Sequence, residues 1–169
     1  LDKGSEVGSH ILSGCVMNPR GLDELIPNWR ELGFPVTTEV KKDKIVYFTK
    51  SKQYKLPLPS DWSNYGNYII SLSQLCRKLA EYAESLGVEI YPGFAAKSAL
   101  IEDGILKGIL TGDMGLARDG TPSANYQPGI EIRAKQTILA EGCRGSVSRQ
   151  LIEYFKLNAD SQAQPYGLG

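Results

Sequence analysis

The stretch Thr137–Arg149 constrains the fold of this chain more than any other part of its sequence. An apolar run ends at Ala140, and the pair Glu141-Gly142 separates it from a predicted helix over Arg144–Phe155. Glycine permits a tight turn, and the N-terminus of a helix favours a negative group through its dipole. A strand that turns directly into a helix in this way predicts an α/β nucleotide-binding turn. An ordinary helix start with an acidic cap is the alternative.

Periodicity elsewhere supports an α/β fold. The spacing predicts a helix over Ser71–Leu86 that ends at Gly87, followed by a buried strand over Val88–Tyr91. The unalternating run Gln136–Ala140 is typical of a central parallel strand. One β-α-β crossover with an inserted antiparallel β-meander is therefore predicted. The shorter predicted elements are a broken helix at Leu22–Leu32, a hairpin of Ile45–Phe48 with Gln53–Leu58, strands at Ser98–Ile101, Ile105–Leu110, Leu116–Ala117 and Gly129–Arg133, and loops at Asp61–Asn67 and Arg118–Pro128.

Two features near the N-terminus are typical of dinucleotide sites. Leu1–Lys3 is predicted to be the end of a strand. An acid at that position, here Asp2, can accept hydrogen bonds from ribose hydroxyls. The segment Gly8–Gly14 is rich in small residues, which let the backbone approach a planar ring closely. Taken alone, the first feature is more typical of an exposed aspartate at a strand end, and the second is more typical of a flexible surface loop.

Composition excludes several classes of function. Nineteen basic residues balance nineteen acidic ones, so no nucleic-acid partner is indicated. The three cysteines form no CxxC pair and there is one histidine, so no metal site is expected within the chain. No apolar run is long enough for a membrane span.

A phosphate-binding GxGxxG loop is absent from the sequence. If Asp2 is the ribose acid, that loop lies roughly 20 residues upstream. Both ends look cut, so we expect an internal piece of a longer protein that is inactive by itself, binds little flavin and is poorly stable.

Read together, these motifs resemble the electron transfer flavoprotein–ubiquinone oxidoreductase family over nearly the whole chain. Glu141 stands where the "DG" motif of FAD-dependent hydroxylase-like enzymes has an aspartate. The ordered matches are Asp2-Lys3, Gly8–Gly14, Leu22–Trp29, Gly66–Ile69, Leu86–Ala96, Asp113–Leu116, Arg118–Gly120 and Ala140–Cys143.

The resemblance implies part of a Rossmann-like FAD-binding domain of the glutathione reductase-like type, formed by 1–14 and 71–169, with 15–70 as an inserted membrane or quinone-side segment. It implies FAD as cofactor and a [4Fe-4S] cluster outside this chain. Electron transfer flavoprotein and ubiquinone would be the partners. The protein would be monotopic, at the surface of the mitochondrial or bacterial inner membrane. The chemistry would be electron relay, so no general acid or base is named.

By the same resemblance, Asp2 would bind the adenosine ribose and Ala96 the adenine through its backbone. Ala140, Glu141 and Gly142 would close over the ribose and pyrophosphate. The residues expected to line the ribityl chain and flavin ring are Gly8, Ser9, His10, Leu12, Ser13 and Gly14.

The segment Cys15–Pro35 matches a membrane-inserting part of the family. Its apolar spacing alone favours a helix that packs in the core, whereas the resemblance favours a membrane surface. The residues expected to face the membrane are Leu22, Leu25, Ile26 and Trp29.

Two other functions are compatible with the motifs. One is an FAD-dependent hydroxylase or geranylgeranyl reductase-like enzyme, which would share the acidic-glycine turn but lack cluster cysteines downstream. The other is a non-catalytic α/β binding module that folds without a cofactor.

Overall fold

The polypeptide divides between Lys3 and Gly4 and again between Ile90 and Tyr91. In a computed structural model, residues 1–11 and 14–162 are described, apart from the side chain of Cys143. Gly4–Ile90 forms one compact unit, here the N-terminal unit. Leu1–Lys3 and the chain from Tyr91 onward form the other, here the C-terminal unit. The functional division at residues 14 and 70 stays a prediction.

The N-terminal unit combines a small sheet, a separate hairpin and two helices. Strand β5 lies at the centre of an antiparallel sheet with β1 and β2 on its two sides. Strands β3 and β4 pair only with each other among the described residues, as the sequence predicts. The elements are β1 Cys15–Met17, α1 Arg20–Leu25, β2 Thr38–Glu39, β3 Ile45–Phe48, β4 Gln53–Leu56, a 3₁₀ turn Ser60–Trp62, β5 Tyr68–Ile70 and α2 Leu72–Ser85.

Helix α1 ends where the sequence requires it to end. Ile26 precedes Pro27, and a residue before proline is disfavoured in the helical region. Ile26 accordingly has φ −135° and ψ 77°. The chain then turns inward, so that apolar residues on both sides of Pro27 enter one core. That core consists of Leu22, Ile26, Trp29, Phe34, Val36, Ile70 and Leu75.

Helix α2 is the element that the sequence predicts best. Its apolar stripe packs on this core through Leu72, Leu75 and Leu79. The helix ends with Gly87 at φ +88°, a left-handed conformation that glycine adopts without a Cβ penalty. The amide of Val88 donates to the carbonyl of Ala83 at 3.1 Å, which completes a Schellman cap.

The C-terminal unit is built on antiparallel strands. Strand β7 lies between β6 and β10, and β8 pairs with β9. The β6–β7 turn has φ 51° at Asp103 and φ 74° at Gly104, as a type I′ hairpin requires. The elements are β6 Ala96–Glu102, β7 Ile105–Thr111, β8 Met114–Leu116, β9 Pro122–Gln127, β10 Glu131–Arg133, a 3₁₀ turn Gly142–Arg144 and α3 Ser146–Phe155.

Helix α3 packs on this sheet and is fastened to its edge. Ile109, Val147 and Leu151 are the buried residues of the contact. The Gln150 side chain accepts a hydrogen bond from the Ala99 amide at 3.3 Å and donates one to the Lys97 carbonyl at 2.9 Å. Helix α3 is thereby held along β6 by its core face and by one amide side chain.

Three predicted elements differ from the structure. Val88–Tyr91 and Gln136–Ala140 are not strands, because neither segment has a ladder partner in the described parts of the chain. Ile138 is 84% exposed while Leu139 packs on the core, so the latter run alternates instead of being buried throughout. The predicted loop Arg118–Pro128 contains β9, whose residues are all exposed and so give no alternating pattern.

The mixture of helices and strands is compatible with the predicted α/β class. Every pair of named strands in the described residues is antiparallel. The parallel contact in these residues is an isolated bridge between Asp2 and Pro92. This bridge lies where Leu1–Lys3 meets the end of Val88–Tyr91, the two segments that the predicted crossover would place side by side.

Candidate functional site

The backbone of Asp2 is fixed by hydrogen bonds on both sides of the residue. Its amide donates to the carbonyl of Tyr91 at 3.0 Å, and its carbonyl accepts from the amide of Phe94 at 3.0 Å. Both bonds lie within the C-terminal unit. The half-buried Asp2 side chain therefore starts from a defined position beside Tyr91–Phe94, two residues before β6 begins at Ala96.

Glu141 caps the N-terminus of α3 with its own carboxylate. It accepts a hydrogen bond from the Val147 amide at 3.3 Å, and from the Ser148 amide and hydroxyl at 2.7 Å each. The first amides of a helix have no partner within the helix, and an anion there also meets the favourable end of its dipole. Glu141 therefore satisfies donors that the sequence assigns to a ligand.

Two opposing effects act on the pKa of Glu141. Partial burial would raise the pKa of the carboxyl, but the hydrogen bonds that it receives at the start of α3 outweigh this and hold it below its ordinary value of 4.5. The group is consequently an anion at neutral pH. Its charge is compensated locally by the helix terminus.

Gly145 is the residue that makes this cap possible. A Cβ built at this position would lie 2.5 Å from the Cβ of Glu141 and 2.8 Å from the Ser148 hydroxyl oxygen. Contacts this short do not occur, so any larger residue displaces the carboxylate from α3. Gly142, by contrast, has no atom near its missing Cβ and is needed for its φ of +71° in the turn.

The glycine-rich loop of the N-terminal unit is packed against α2. Gly8 is buried with φ +83°, and a Cβ there would lie 2.7 Å from the carbonyl oxygen of Ser73. Ser9 and His10 are exposed, as is Gly14, which has φ +85°. The predicted positions Leu12 and Ser13 lie outside the described residues.

Arg77 holds this loop in place, which the sequence did not reveal. Its guanidinium donates to a carboxylate oxygen of Glu6 at 2.7 Å and to the carbonyl of Val7 at 3.3 Å. The partners are about seventy positions apart, and no local pattern links a helical arginine to so distant a loop. Only the folded chain identifies Arg77 as a positioning residue for Gly8.

The predicted cofactor residues therefore form two groups. The C-terminal unit contains Asp2, which bridges to Pro92, Ala96 at the start of β6, and Ala140–Gly142 just before α3. The N-terminal unit holds Gly8, Ser9, His10 and Gly14. Their roles toward a cofactor stay predictions at this point.

Comparison with known proteins shows which proteins the chain is similar to. No family model matches it. A mitochondrial electron transfer flavoprotein-ubiquinone oxidoreductase of Dictyostelium discoideum is 52% identical over 170 residues, which are 100% of this chain and 28% of that protein. The enzymes of that name from Pseudomonas aeruginosa and Homo sapiens are 54% and 42% identical, again over the whole chain and over 32% and 28% of their own lengths.

The chain is a homologue of one segment of electron transfer flavoprotein-ubiquinone oxidoreductase. The resemblance predicted from the motifs is confirmed, and it holds across bacterial, plant and animal relatives. The chain spans about three tenths of the length of the relatives quoted. Their name describes an oxidoreductase acting in electron transport to ubiquinone.

Burial corrects the prediction of a membrane-facing stripe. Leu22, Ile26 and Trp29 are only 8%, 2% and 1% exposed, because they pack on the sheet and on α2. Side chains inside a core do not face lipid. Leu25 is 73% exposed, so for this residue alone the membrane-facing role stays a prediction.

The described residues contain neither a metal-ligand cluster nor a helix suited to cross a membrane. Within 1–11 and 14–162, no group of three or more His, Cys, Asp or Glu residues could hold a metal ion. None of the helices in these ranges has the length and apolar character needed to cross a membrane.

Proposed function

We propose that this chain is part of a flavoprotein that takes electrons from reduced electron transfer flavoprotein and passes them to ubiquinone. The observation that carries the proposal is the identity of 42–54% with proteins of that name over the whole chain. Identity of this size over the whole chain supports a shared role for the segment. The activity would belong to the whole protein.

FAD is the proposed cofactor, and the described residues around Asp2 suit an adenosine ribose. A half-buried carboxylate on a fixed backbone presents acceptors to two hydroxyls without a large ordering cost. Gly8, Ser9, His10 and Gly14 would line the ribityl chain and ring, together with Leu12 and Ser13, and Ala96 would meet the adenine. When bound, FAD supplies the redox chemistry, and the [4Fe-4S] cluster would be held elsewhere in the protein.

The start of α3 suits a pyrophosphate less well. Two of its amides already donate to Glu141, so a phosphate would have to compete with that carboxylate. We therefore propose that Glu141 shapes the turn at Ala140 and Gly142 instead of binding ribose itself. The exposed backbone of those two neighbours would close over the cofactor.

The reaction would take place at a membrane surface, since ubiquinone dissolves in lipid. Relatives of Dictyostelium and human origin are named as mitochondrial, and others are bacterial. We propose a peripheral position on the inner membrane of a mitochondrion or bacterium. The FAD-dependent hydroxylase and binding-module alternatives have no support from the names of the relatives quoted.

The test uses the full-length protein that contains this chain. It should contain bound flavin and should reduce a ubiquinone analogue in detergent when supplied with reduced electron transfer flavoprotein. Asp2→Ala should weaken FAD binding roughly ten- to a hundredfold, since it removes the carboxylate that would accept hydrogen bonds from the ribose hydroxyls. Asp160→Ala, at an exposed aspartate of the same unit, is the matched control.

Three results would count against the proposal. A folded full-length protein without flavin would exclude a flavoprotein. Flavin that accepts electrons from NADPH and hydroxylates a substrate, without quinone reduction, would favour the hydroxylase. Equal flavin content in Asp2→Ala and Asp160→Ala would remove Asp2 from the ribose site.

A further inference from the structure

The glycine-rich loop of the N-terminal unit begins with a turn over 6–9. The amide of Ser9 donates to the carbonyl of Glu6 at 3.2 Å, and the amide of Ile11 donates to the carbonyl of Gly8 at 3.5 Å. Each of these bonds spans only three residues. They define the shape of the loop, but its place in the fold has to come from contacts with another element.

Helix α2 supplies those contacts at two points of one face. Ser73 and Arg77 are four residues apart, so they lie one above the other on the helix. At the first point, Gly8 comes so close that a Cβ would lie 2.7 Å from the carbonyl oxygen of Ser73. At the second, the Arg77 guanidinium donates to a Glu6 carboxylate oxygen at 2.7 Å and to the Val7 carbonyl at 3.3 Å. These two hydrogen bonds are here called the Arg77 clasp.

The Arg77 clasp acts on the main chain as well as on a side chain. A guanidinium presents several N–H donors in a fixed plane, so it can bind a carboxylate and a neighbouring carbonyl together. A lysine in its place would keep the charge but not this planar arrangement. The bond to the Val7 carbonyl fixes the backbone one residue before Gly8, which an ion pair between two side chains does not do.

A different face of α2 is anchored in the core of the N-terminal unit. Leu75 is 5% exposed, and Leu72 and Leu79 pack against the same cluster, which contains Trp29. The helix therefore connects a packed core to the loop. Through the Arg77 clasp, the position of the loop follows from the position of that core.

We propose that Arg77 is a positioning residue for the flavin cofactor and that it acts through Glu6 and Val7. Ser9 and His10 are exposed, so both side chains are open to a ligand, and the Arg77 clasp fixes the backbone that leads to them. A loop that is ordered before binding loses less conformational freedom when the cofactor arrives. This inference deepens the proposed function and rests on it, since the loop needs a flavin to position.

A surface ion pair without any effect on the cofactor is the competing explanation. The Arg77 and Glu6 side chains are 47% and 61% exposed, and pairs with this much exposure contribute little to global stability. The two explanations therefore agree that the unfolding midpoint hardly changes when Arg77 is replaced. They differ in the order of the loop and in the affinity for flavin.

The first experiment measures loop order by hydrogen exchange in the full-length protein after its flavin has been removed. Arg77→Gln should speed the exchange of a peptide that covers 5–11 roughly three- to tenfold, because the loop opens more easily without the Arg77 clasp. Lys78→Gln is the matched control. It removes the neighbouring cation of the same helix, whose partner Glu81 lies within α2 at 3.0 Å, and should leave the loop unchanged.

The second experiment titrates FAD onto the same proteins. Arg77→Gln should weaken FAD binding roughly three- to tenfold and should change the visible circular dichroism of the bound flavin. Glu6→Gln should have a smaller effect, because the bond to the Val7 carbonyl remains, and Arg77→Lys should restore part of the affinity. Lys78→Gln should match the unsubstituted protein in affinity and in spectrum.

Each other pattern of results would overturn the proposal. Faster exchange with unchanged FAD affinity would make the Arg77 clasp an ordinary surface ion pair. Weaker FAD binding with unchanged exchange would mean that Arg77 acts by another route, and equal effects in Lys78→Gln would assign them to the charge of α2.

These failures are distinct from a failure of the proposed function. If the folded, unsubstituted protein takes up no flavin, the proposed function fails and this inference fails with it. If the protein binds FAD and reduces quinone while Arg77→Gln retains full FAD affinity, only this inference fails.

Discussion

Two segments of the N-terminal unit combine aromatic and charged residues, but the tryptophan of one is buried and that of the other is exposed. In Arg20–Phe34, here the tryptophan segment, Trp29 is 1% exposed. In Lys41–Gly66, here the hairpin surface, Trp62 is 62% exposed. Both contain apolar residues that the composition alone would assign to a core or to a lipid interface. The structure separates the two cases.

The two tryptophans differ in exposure because their neighbours make different contacts with them. The Trp29 indole N–H donates to Asp23 at 2.8 Å, its ring meets Tyr68 edge to face at 6.0 Å, and the Arg30 guanidinium lies 4.1 Å from the ring centroid. The indole N–H of Trp29 therefore has a hydrogen-bond acceptor, and its ring has contacts within the N-terminal unit. The aromatic residues Tyr47, Phe48 and Tyr54 lie on a two-stranded ribbon, which is too small to enclose them, and they stay exposed.

The largest expected effect compares the two tryptophans. Trp29→Ala removes a large buried side chain and should lower the free energy of unfolding by about 3–5 kcal/mol. Trp62→Ala, its matched control, should change it by less than about 0.5 kcal/mol. Urea unfolding of the two variants measures this. Equal losses would mean that the two segments do not differ as described.

A smaller effect concerns acid stability. Hydrogen bonds from Trp29, then from Arg30, hold the pKa of the Asp23 carboxyl below its ordinary value of 3.8. A depressed pKa contributes stability that is complete above the ordinary value and is lost as pH falls through the lowered one. Asp23→Asn should therefore flatten the fall in Tm below about pH 3.8, measured by circular dichroism. Asp61→Asn, on the hairpin surface, should keep the original slope, and an unchanged slope in Asp23→Asn would contradict the assignment.

The smallest effect concerns the hairpin itself. Tyr54→Ala removes the cross-strand pair with Tyr47, and such pairs contribute roughly 0.2–1 kcal/mol. The midpoint of urea unfolding should therefore shift only slightly. A loss as large as that of Trp29→Ala would show that the hairpin belongs to the core.

Local signals in the sequence predicted much of the fold. The stripe and terminal glycine predict α2, and the pair Asp103-Gly104 predicts the β6–β7 turn. These elements depend on spacing and backbone preference, which the sequence carries directly. Val88–Tyr91 and Gln136–Ala140 have strand composition, but a strand forms only with a partner, and partners are not encoded locally.

The candidate site could be predicted only in part. Asp2 and Glu141 were singled out because an acid after a predicted strand is a recognisable pattern, although Gln136–Ala140 is not a strand in the structure, and their roles toward a cofactor stay predictions. That Glu141 would use its carboxylate on α3, and that Arg77 would anchor the Gly8 loop, depends on contacts that spacing does not specify. Apolar spacing alone favoured a core position for Trp29, but the resemblance favoured the membrane, and an amphipathic stripe has the same period whether it faces a core or lipid.

The cap at α3 has an evolutionary consequence. Glu141, Gly145 and Ser148 occupy one small volume, in which each limits the size and polarity of the other two. Substitution at one should therefore be tolerated chiefly in lineages where the others have also changed, and the three positions should covary among homologues. This trio is expected to be inherited as a set.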